Sequence, residues 1–210
     1  MENINQQIAS KLLQINAIKF NPANPFQWTS GWKSPIYCDN RKTLSYPDLR
    51  RQIREAFTEV IQREYGTPDV IAGVATGAIA MGVLTAEAMD LPFVYVRSSQ
   101  KKHGLQNTIE GEFKSGQRVV VIEDLVSTGN SSLRAVDALR ETGAEVLGMV
   151  AIFSYGFDLA RQNFEKKQCR LHTLSDYQTL VDVAMKQGYL REEHREDLEQ
   201  WRRNPSHWGQ

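Results

Sequence analysis

Apolar positions along the chain fall into two periods, and each change of period marks a new element. Ile4, Ile8, Leu12 and Ile15 recur at helical spacing and predict an amphipathic first helix. The stretch FQWTSGWKSPIYCDNR predicts two short strands around Ser30-Gly31, where glycine supplies the backbone freedom of a tight turn. Ser45 as an N-cap, with Pro47 in the first turn, predicts a helix carrying Leu49, Ile53, Phe57 and Ile61 and stopping at Gly66. An alternation follows: strand DVIAGVA, helix IAMGVLTAEAM, strand FVYVR, strand RVVVIED, helix SSLRAVDALRE, strand EVLGMVAIF. That order predicts an α/β fold, a parallel sheet covered by helices on both faces with right-handed crossovers. The polar stretch between Arg97 and Arg118 breaks the rhythm, and long loops in compact domains are often functional lids. Beyond Arg170, LSDYQTLVDVAMKQGYLREEHREDLEQWRR predicts two terminal helices packed on the sheet rather than a second domain.

Composition narrows the class. The chain has 210 residues, 41% of them hydrophobic, enough for one sizeable core, and no repeat or low-complexity linker divides it. The expected organisation is a single domain: 1–45 as first helix and hood, 46–170 as core, 171–210 as helical tail. Lysine plus arginine number 25 against 25 acids, which argues against general nucleic-acid binding. Cys38 and Cys169 stand far apart, and none of His103, His172, His194 and His207 makes a zinc pattern with them. The N-terminus lacks the apolar core of a signal peptide, and no apolar run approaches the roughly 20 residues of a membrane span. A cytoplasmic protein with no membrane partner is expected.

The chemistry concentrates in RVVVIEDLVSTGNSS, residues 118–132. Val119, Val120, Val121 and Ile122 predict a strand buried on both faces, with Glu123 and Asp124 where it should emerge. Ser127, Thr128, Gly129, Asn130 and Ser131 then lead into a helix. Backbone N–H groups, hydroxyls and a helix N-terminus are the ingredients of a phosphate cradle, although the turn is no Walker loop. An ordinary strand-to-helix turn with a serine cap is the plainer alternative for this motif alone. The adjacent acids would repel a phosphate, so they should face sugar hydroxyls or a magnesium shared with the ligand. Both demands together describe a phosphorylated ribose.

VVVIEDLVSTGNSS resembles the phosphoribosyl-diphosphate-binding motif of type I phosphoribosyltransferases. FQWTSGWKSPIYCDNR is similar to the N-terminal segment of the orotate phosphoribosyltransferases, carried by Phe26, Ser30, Gly31, Ser34, Pro35, Tyr37, Asp39 and Arg41. VRSSQKKHGLQNTIEG resembles that family's mobile catalytic loop, with Arg97, Lys101, His103 and Gly104 at the R-x-x-x-K-x-H-G spacing. Read alone, the first of these stretches could be a structural hairpin and the second a solvated loop. The three in order, with GYL and the tryptophans of the tail, cover most of the chain.

The resemblance implies a type I phosphoribosyltransferase core with a small N-terminal hood and terminal helices. It implies transfer of ribose 5-phosphate from phosphoribosyl diphosphate to orotate, giving orotidine 5′-phosphate and diphosphate on the way to uridylate. Lys101, Asp124 and His103 are then the expected catalytic residues. Arg97, Lys101, His103, Glu123, Asp124, Leu125, Val126, Ser127, Thr128, Gly129, Asn130 and Ser131 are expected to bind phosphoribosyl diphosphate, and Ser127 and Tyr37 to bind orotate. Magnesium is expected as cofactor, held mainly through the diphosphate rather than by direct protein ligands, and a homodimer with shared active sites as the assembly. The chain departs from some relatives: Thr29 stands where they carry lysine, Ser98 and Ser99 follow the loop arginine, and FSYGF offers Tyr155 in place of an arginine on the base. Asn130 replaces a glycine after the T-G pair, which suits a positive φ better than most residues would. Two rivals remain: a purine phosphoribosyltransferase on the same core, and a non-catalytic regulator that binds phosphoribosyl diphosphate as a signal.

Overall fold

The computed structural model describes residues 3–28, 30–97 and 108–209. The chain opens with α1 (Ile4–Gln14), β1 (Ile18–Phe20), β2 (Phe26–Gln27), β3 (Lys33–Ser34) and β4 (Ile36–Cys38). A 3-10 segment, Asn40–Ser45, leads into α2 (Pro47–Tyr65). Next come β5 (Val70–Val74), α3 (Ile79–Ala88), β6 (Phe93–Val96), β7 (Ile109–Glu110), β8 (Arg118–Val126), α4 (Asn130–Glu141) and β9 (Glu145–Ser154). The rest is α5 (Asp158–Lys166), β10 (Leu171–Asp176), α6 (Tyr177–Lys186), a 3-10 turn at Glu192–His194, and α7 (Arg195–Arg203). Among the described residues no helix is long and apolar enough to cross a membrane.

The sheet runs β10-β9-β8-β5-β6-β7, parallel throughout except for the short antiparallel edge strand β7. β8 lies inside it, and Val119, Val120, Val121 and Ile122 are each 0% exposed, as a β-branched run between two helical layers requires. Helices α1, α2, α3 and α6 pack beside one another, and α4 packs with α5. β5 is followed by its neighbour β6 on one side, and β8 by its neighbour β9 on the other. The chain therefore reverses direction across the sheet between β5 and β8, and in open α/β sheets a crevice forms at that reversal, outside the strands' carboxyl ends.

The hood consists of two small antiparallel pairs, β1 with β4 and β2 with β3. Gly31, at φ +86°, makes the turn between β2 and β3. The hood is tied to the sheet where the Asn40 side-chain amide donates to the Asp124 carbonyl at 2.6 Å.

The structure corrects the sequence reading in several places. Helix α2 does stop at Gly66, but its N-cap is Tyr46 rather than Ser45, which belongs to the preceding 3-10 segment; Pro47 is the first helical residue. Proline's fixed φ suits that position and starts the helix without a side-chain cap. The buried face of α1 is Ile8, Ala9, Leu12 and Leu13, while Ile4 is exposed and Ile15 half-buried. Residues 171–176 are not the head of a helical tail but the sheet strand β10, and α5 was not anticipated at all. Both are half-polar elements at the margin: β10 has one strand neighbour, and α5 buries only Ala160 and Phe164.

Gly148 in β9 shows how tightly α2 docks. A Cβ there would lie 2.5 Å from the Tyr65 ring, whose hydroxyl sits 2.8 Å from His172 Nδ1 and 3.2 Å from the carbonyls of Met149 and Arg170. Gly148→Ala is therefore an overpacking change, expected to cost about 1–3 kcal/mol and to lower Tm by several degrees in a thermal melt. An unchanged Tm would mean that the end of α2 can slide without loss.

Candidate active site

The crevice between β5 and β8 holds a cavity of about 520 Å³. Its walls come from Cys38, Asp39 and Arg41 of the hood, the turn Val74–Gly77 after β5, Arg97 and Thr108, Glu123–Leu125 of β8, and Ser131, Arg134 and Ala135 of α4. β8 does not end at its acids as the sequence suggested. It stays paired with β9 as far as Val126 opposite Ser154, whereas its pairing with β5 ends at Ile122 opposite Gly73. The acids thus sit on a strand that has lost one neighbour, and the gap is where ligand space opens.

Consecutive strand residues point to opposite faces, so the two acids have different surroundings. Glu123 is turned inward, 4% exposed, and both its oxygens have donors: Ser132 Oγ at 2.7 Å and the Asp124 amide at 3.0 Å. Burial, and then the neighbouring Asp124 charge, still hold its pKa well above the usual carboxylate range, against the pull of the Ser132 hydrogen bond. Asp124 is half-buried and faces Gly77, where any Cβ would overlap its carboxylate. Burial raises its pKa too, opposed by hydrogen bonds from its surroundings and by the Arg41 guanidinium. Arg41 Nε meets Asp39 Oδ1 at 2.6 Å, and Arg97 Nη1 meets Glu110 Oε1 at 3.3 Å. The cavity therefore combines paired carboxylates, three arginines and the first turn of α4. That set can hold a polyol through its acids and an anion through its cations and helix N-terminus.

Of the residues singled out in the sequence, Asp39, Arg41, Arg97, Glu123, Asp124, Leu125 and Ser131 meet on this cavity. Val126 is buried in the core, and Ser127, Thr128, Gly129 and Asn130 form the turn into α4 beside the cavity rather than its lining. The left-handed residue of that turn is Gly129, at φ +79°; Asn130 is the first helical residue, which corrects the positive φ expected of it. The turn is braced from α5: Asn163 Nδ2 donates to Thr128 O at 2.9 Å and to Asn130 Oδ1 at 3.2 Å. Phe164 closes on Gly129, where a Cβ would lie 2.7 Å from its ring. Tyr37 does not line the cavity. It is 42% exposed on β4, its ring 5.6 Å from Phe26. Lys101, His103, Gly104, Ser98, Ser99 and Thr29 lie outside the described residues.

The sequence reading missed Arg134, Thr108 and the turn Ala75–Thr76–Gly77. A small-residue T-G step between a buried strand and a helix was the available signal for the turn. Cys38 also lines the cavity, but burial, then the charges of Asp124 and Asp39, push its thiol pKa up, so it is no activated nucleophile. Among the described residues no group of three His, Cys, Asp or Glu converges as a metal site.

Comparison with known proteins shows the family. The phosphoribosyl transferase domain family matches residues 43–187. The orotate phosphoribosyltransferase of Bacteroides fragilis is 55% identical over 208 residues, 99% of this chain and 98% of that protein. Among solved structures, orotate phosphoribosyltransferase from Aeropyrum pernix superposes with a TM-score of 0.76 at 26% identity, covering 88% of this chain and 99% of that one. The UMP synthase of Leishmania donovani superposes with a TM-score of 0.79 at 28% identity, covering 95% of this chain but 43% of that longer one.

The buried acid has a consequence for stability. Below the unfolded glutamate value of about 4.3, folded and unfolded chains both carry the Glu123 proton. Above it the unfolded chain releases the proton first, so it binds fewer protons than the folded one, and stability falls with rising pH until the raised folded value is passed. Glu123→Gln removes that titration. Urea midpoints measured from about pH 4 to about pH 8 are expected to fall less steeply for Glu123→Gln than for the parent. Parallel profiles would show that Glu123 ionises as freely in the fold as outside it.

Proposed function

The chain belongs to the orotate phosphoribosyltransferases of the phosphoribosyl transferase domain family, and from that premise we propose which of its residues bind the substrates and drive the transfer. The enzyme transfers ribose 5-phosphate from phosphoribosyl diphosphate to orotate, releasing diphosphate. The observation that carries the assignment of residues is the face of Asp124 opened by the end of β5 and kept clear by Gly77, with the α4 N-terminus alongside.

Orotate is already a competent nitrogen anion, so the protein needs no strong base. The difficulty is loss of diphosphate from the anomeric carbon through an oxocarbenium-like state, a problem shared with glycoside chemistry. Asp124 and Glu123 hold the ribose hydroxyls; the Asp124 charge favours a cationic ring, and Glu123 is fixed by Ser132 and by the Asp124 amide. Ser127, Thr128, Gly129, Asn130 and Ser131 hold the 5′-phosphate, with the strand end Leu125–Val126 setting their height. Arg97, Lys101 and His103 neutralise the departing diphosphate; lysine suits this as a mobile point charge on a flexible stem. A magnesium ion held mainly through the diphosphate would neutralise its charge, with the Asp124 carboxylate on the same cavity to support it. Tyr37 and Ser127 contribute to the orotate site beneath the hood. The chain acts as one domain in a cytoplasmic setting, as a homodimer in which the Arg97–Gly104 loop of one subunit completes the other's site.

Two experiments test this reading. With phosphoribosyl diphosphate and magnesium, orotate alone among orotate, uracil, adenine and hypoxanthine is expected to be consumed. Comparable turnover of adenine or hypoxanthine would sink the base assignment and leave the family intact. The shared site is tested by mixing two inactive variants, Lys101→Ala and Asp124→Asn, in equal amounts under subunit exchange. Half the dimers are then mixed, each with one good site of two, so roughly a quarter of the parent activity is expected to return. No recovery, once mass measurement had shown exchange, would mean that each site is built within one chain.

A further inference from the structure

Helix α7 is charged along most of its length, and only Leu198 and Trp201 are buried. Trp201 is 0% exposed although it lies in the tail. Its indole N–H donates to the Lys33 carbonyl of β3 at 3.2 Å. Its ring meets Trp28 edge-on at 5.8 Å, Tyr155 at 5.7 Å and Phe157 at 5.3 Å. Trp28, at the end of β2, lies 5.0 Å from Tyr155 and donates its own N–H to the Ile36 carbonyl of β4 at 3.2 Å. Ser34 Oγ donates to that same carbonyl at 2.7 Å. Two residues beyond Ile36 stands Cys38, where the hood becomes a wall of the cavity. A second link runs from Lys33 Nζ to the Gly209 carbonyl at 2.6 Å. The tail thus grips the hood on β3 directly and on β4 through Trp28, while Tyr155 anchors the cluster just past the end of β9.

We propose that Trp201 is a positioning residue for the base: by holding Lys33 and Trp28 it sets the hood over the cavity and so governs affinity for orotate. This rests on the reading that the hood covers the base. The described phosphoribosyl diphosphate groups on β8 and α4 make none of these contacts, and the Asn40 tie that joins the hood to Asp124 is separate from them, so their affinity should change less than that for orotate.

The test is Trp201→Phe, which keeps an aromatic ring and removes the N–H. KM for orotate is expected to rise about fivefold, the worth of one neutral hydrogen bond, with KM for phosphoribosyl diphosphate and kcat within about twofold. Amide hydrogen exchange should quicken in residues 26–38 and stay unchanged along β8. Equal rises in both KM values, a fall in kcat alone, or unchanged exchange in the hood would overturn the proposal and leave Trp201 as ordinary core. If Trp201→Phe does not fold, Trp28→Phe, which removes the indole hydrogen bond to the Ile36 carbonyl and leaves the one from Ser34, carries the same expectations. The exchange measurement needs no substrate. A parent enzyme inactive on orotate with a hood that loosens in the variant would therefore reject the base assignment while keeping the clamp.

Discussion

Everything at the site follows from a strand that must be buried on both faces and yet deliver a carboxylate to a ligand. β8 meets the first demand with a run of valine and isoleucine at full burial. It meets the second by outlasting its neighbour β5, so that Asp124 faces space while its backbone stays paired on the other side to β9. An isolated buried carboxylate is costly unless its oxygens find donors. Glu123 lies at that limit, with a hydroxyl and an amide on its two oxygens and a neighbouring acid working against them. The arrangement favours any ligand that brings donors or positive charge to the open side.

The central sheet was legible because β8, β9 and β5 are continuous apolar runs, and such runs between helical patterns have few other uses. The turn between β8 and α4 was legible as a string of small residues at a strand end. What could not be read were elements whose apolar content is divided. β10 sits at an edge and carries a histidine, a threonine and two further polar residues in six, so its period is blurred. α5 buries two side chains, yet it supports the turn through Asn163 and Phe164. Gly77 shows a different obstacle. As sequence it is one glycine in a strand-to-helix turn; its importance lies wholly in the Asp124 carboxylate, which belongs to another strand.

Tyr155 is held by the packing around it. The family resemblance of FSYGF would lead one to expect an arginine near this position. Instead the ring is 2% exposed, stacked with Phe157 at 5.5 Å and packed edge-on to Phe153 and Trp201. Burial pushes its phenol pKa well up, as expected of a ring serving structure rather than charge recognition. An arginine there would bury a cation among aromatic rings. The aromatic cluster and the missing arginine are thus two aspects of one choice, in which the hood is braced from below.

That bracing depends on contact between the two ends of the chain. Trp201 meets Lys33 across 168 positions of sequence, and Lys33 meets Gly209 across 176. Loop-closure entropy grows only with the logarithm of length, so a bond spanning most of the chain costs little more than one spanning half of it. Once the sheet has formed, most of that entropy has already been lost in ordering the residues between. Docking the tail on the hood then chiefly immobilises α7 and the hairpin, and burial of one tryptophan side chain supplies on the order of 2–3 kcal/mol towards it. A charged helix with two apolar residues can close the fold on those terms, because its ring need only complete a cluster already held by Tyr155 and Phe157.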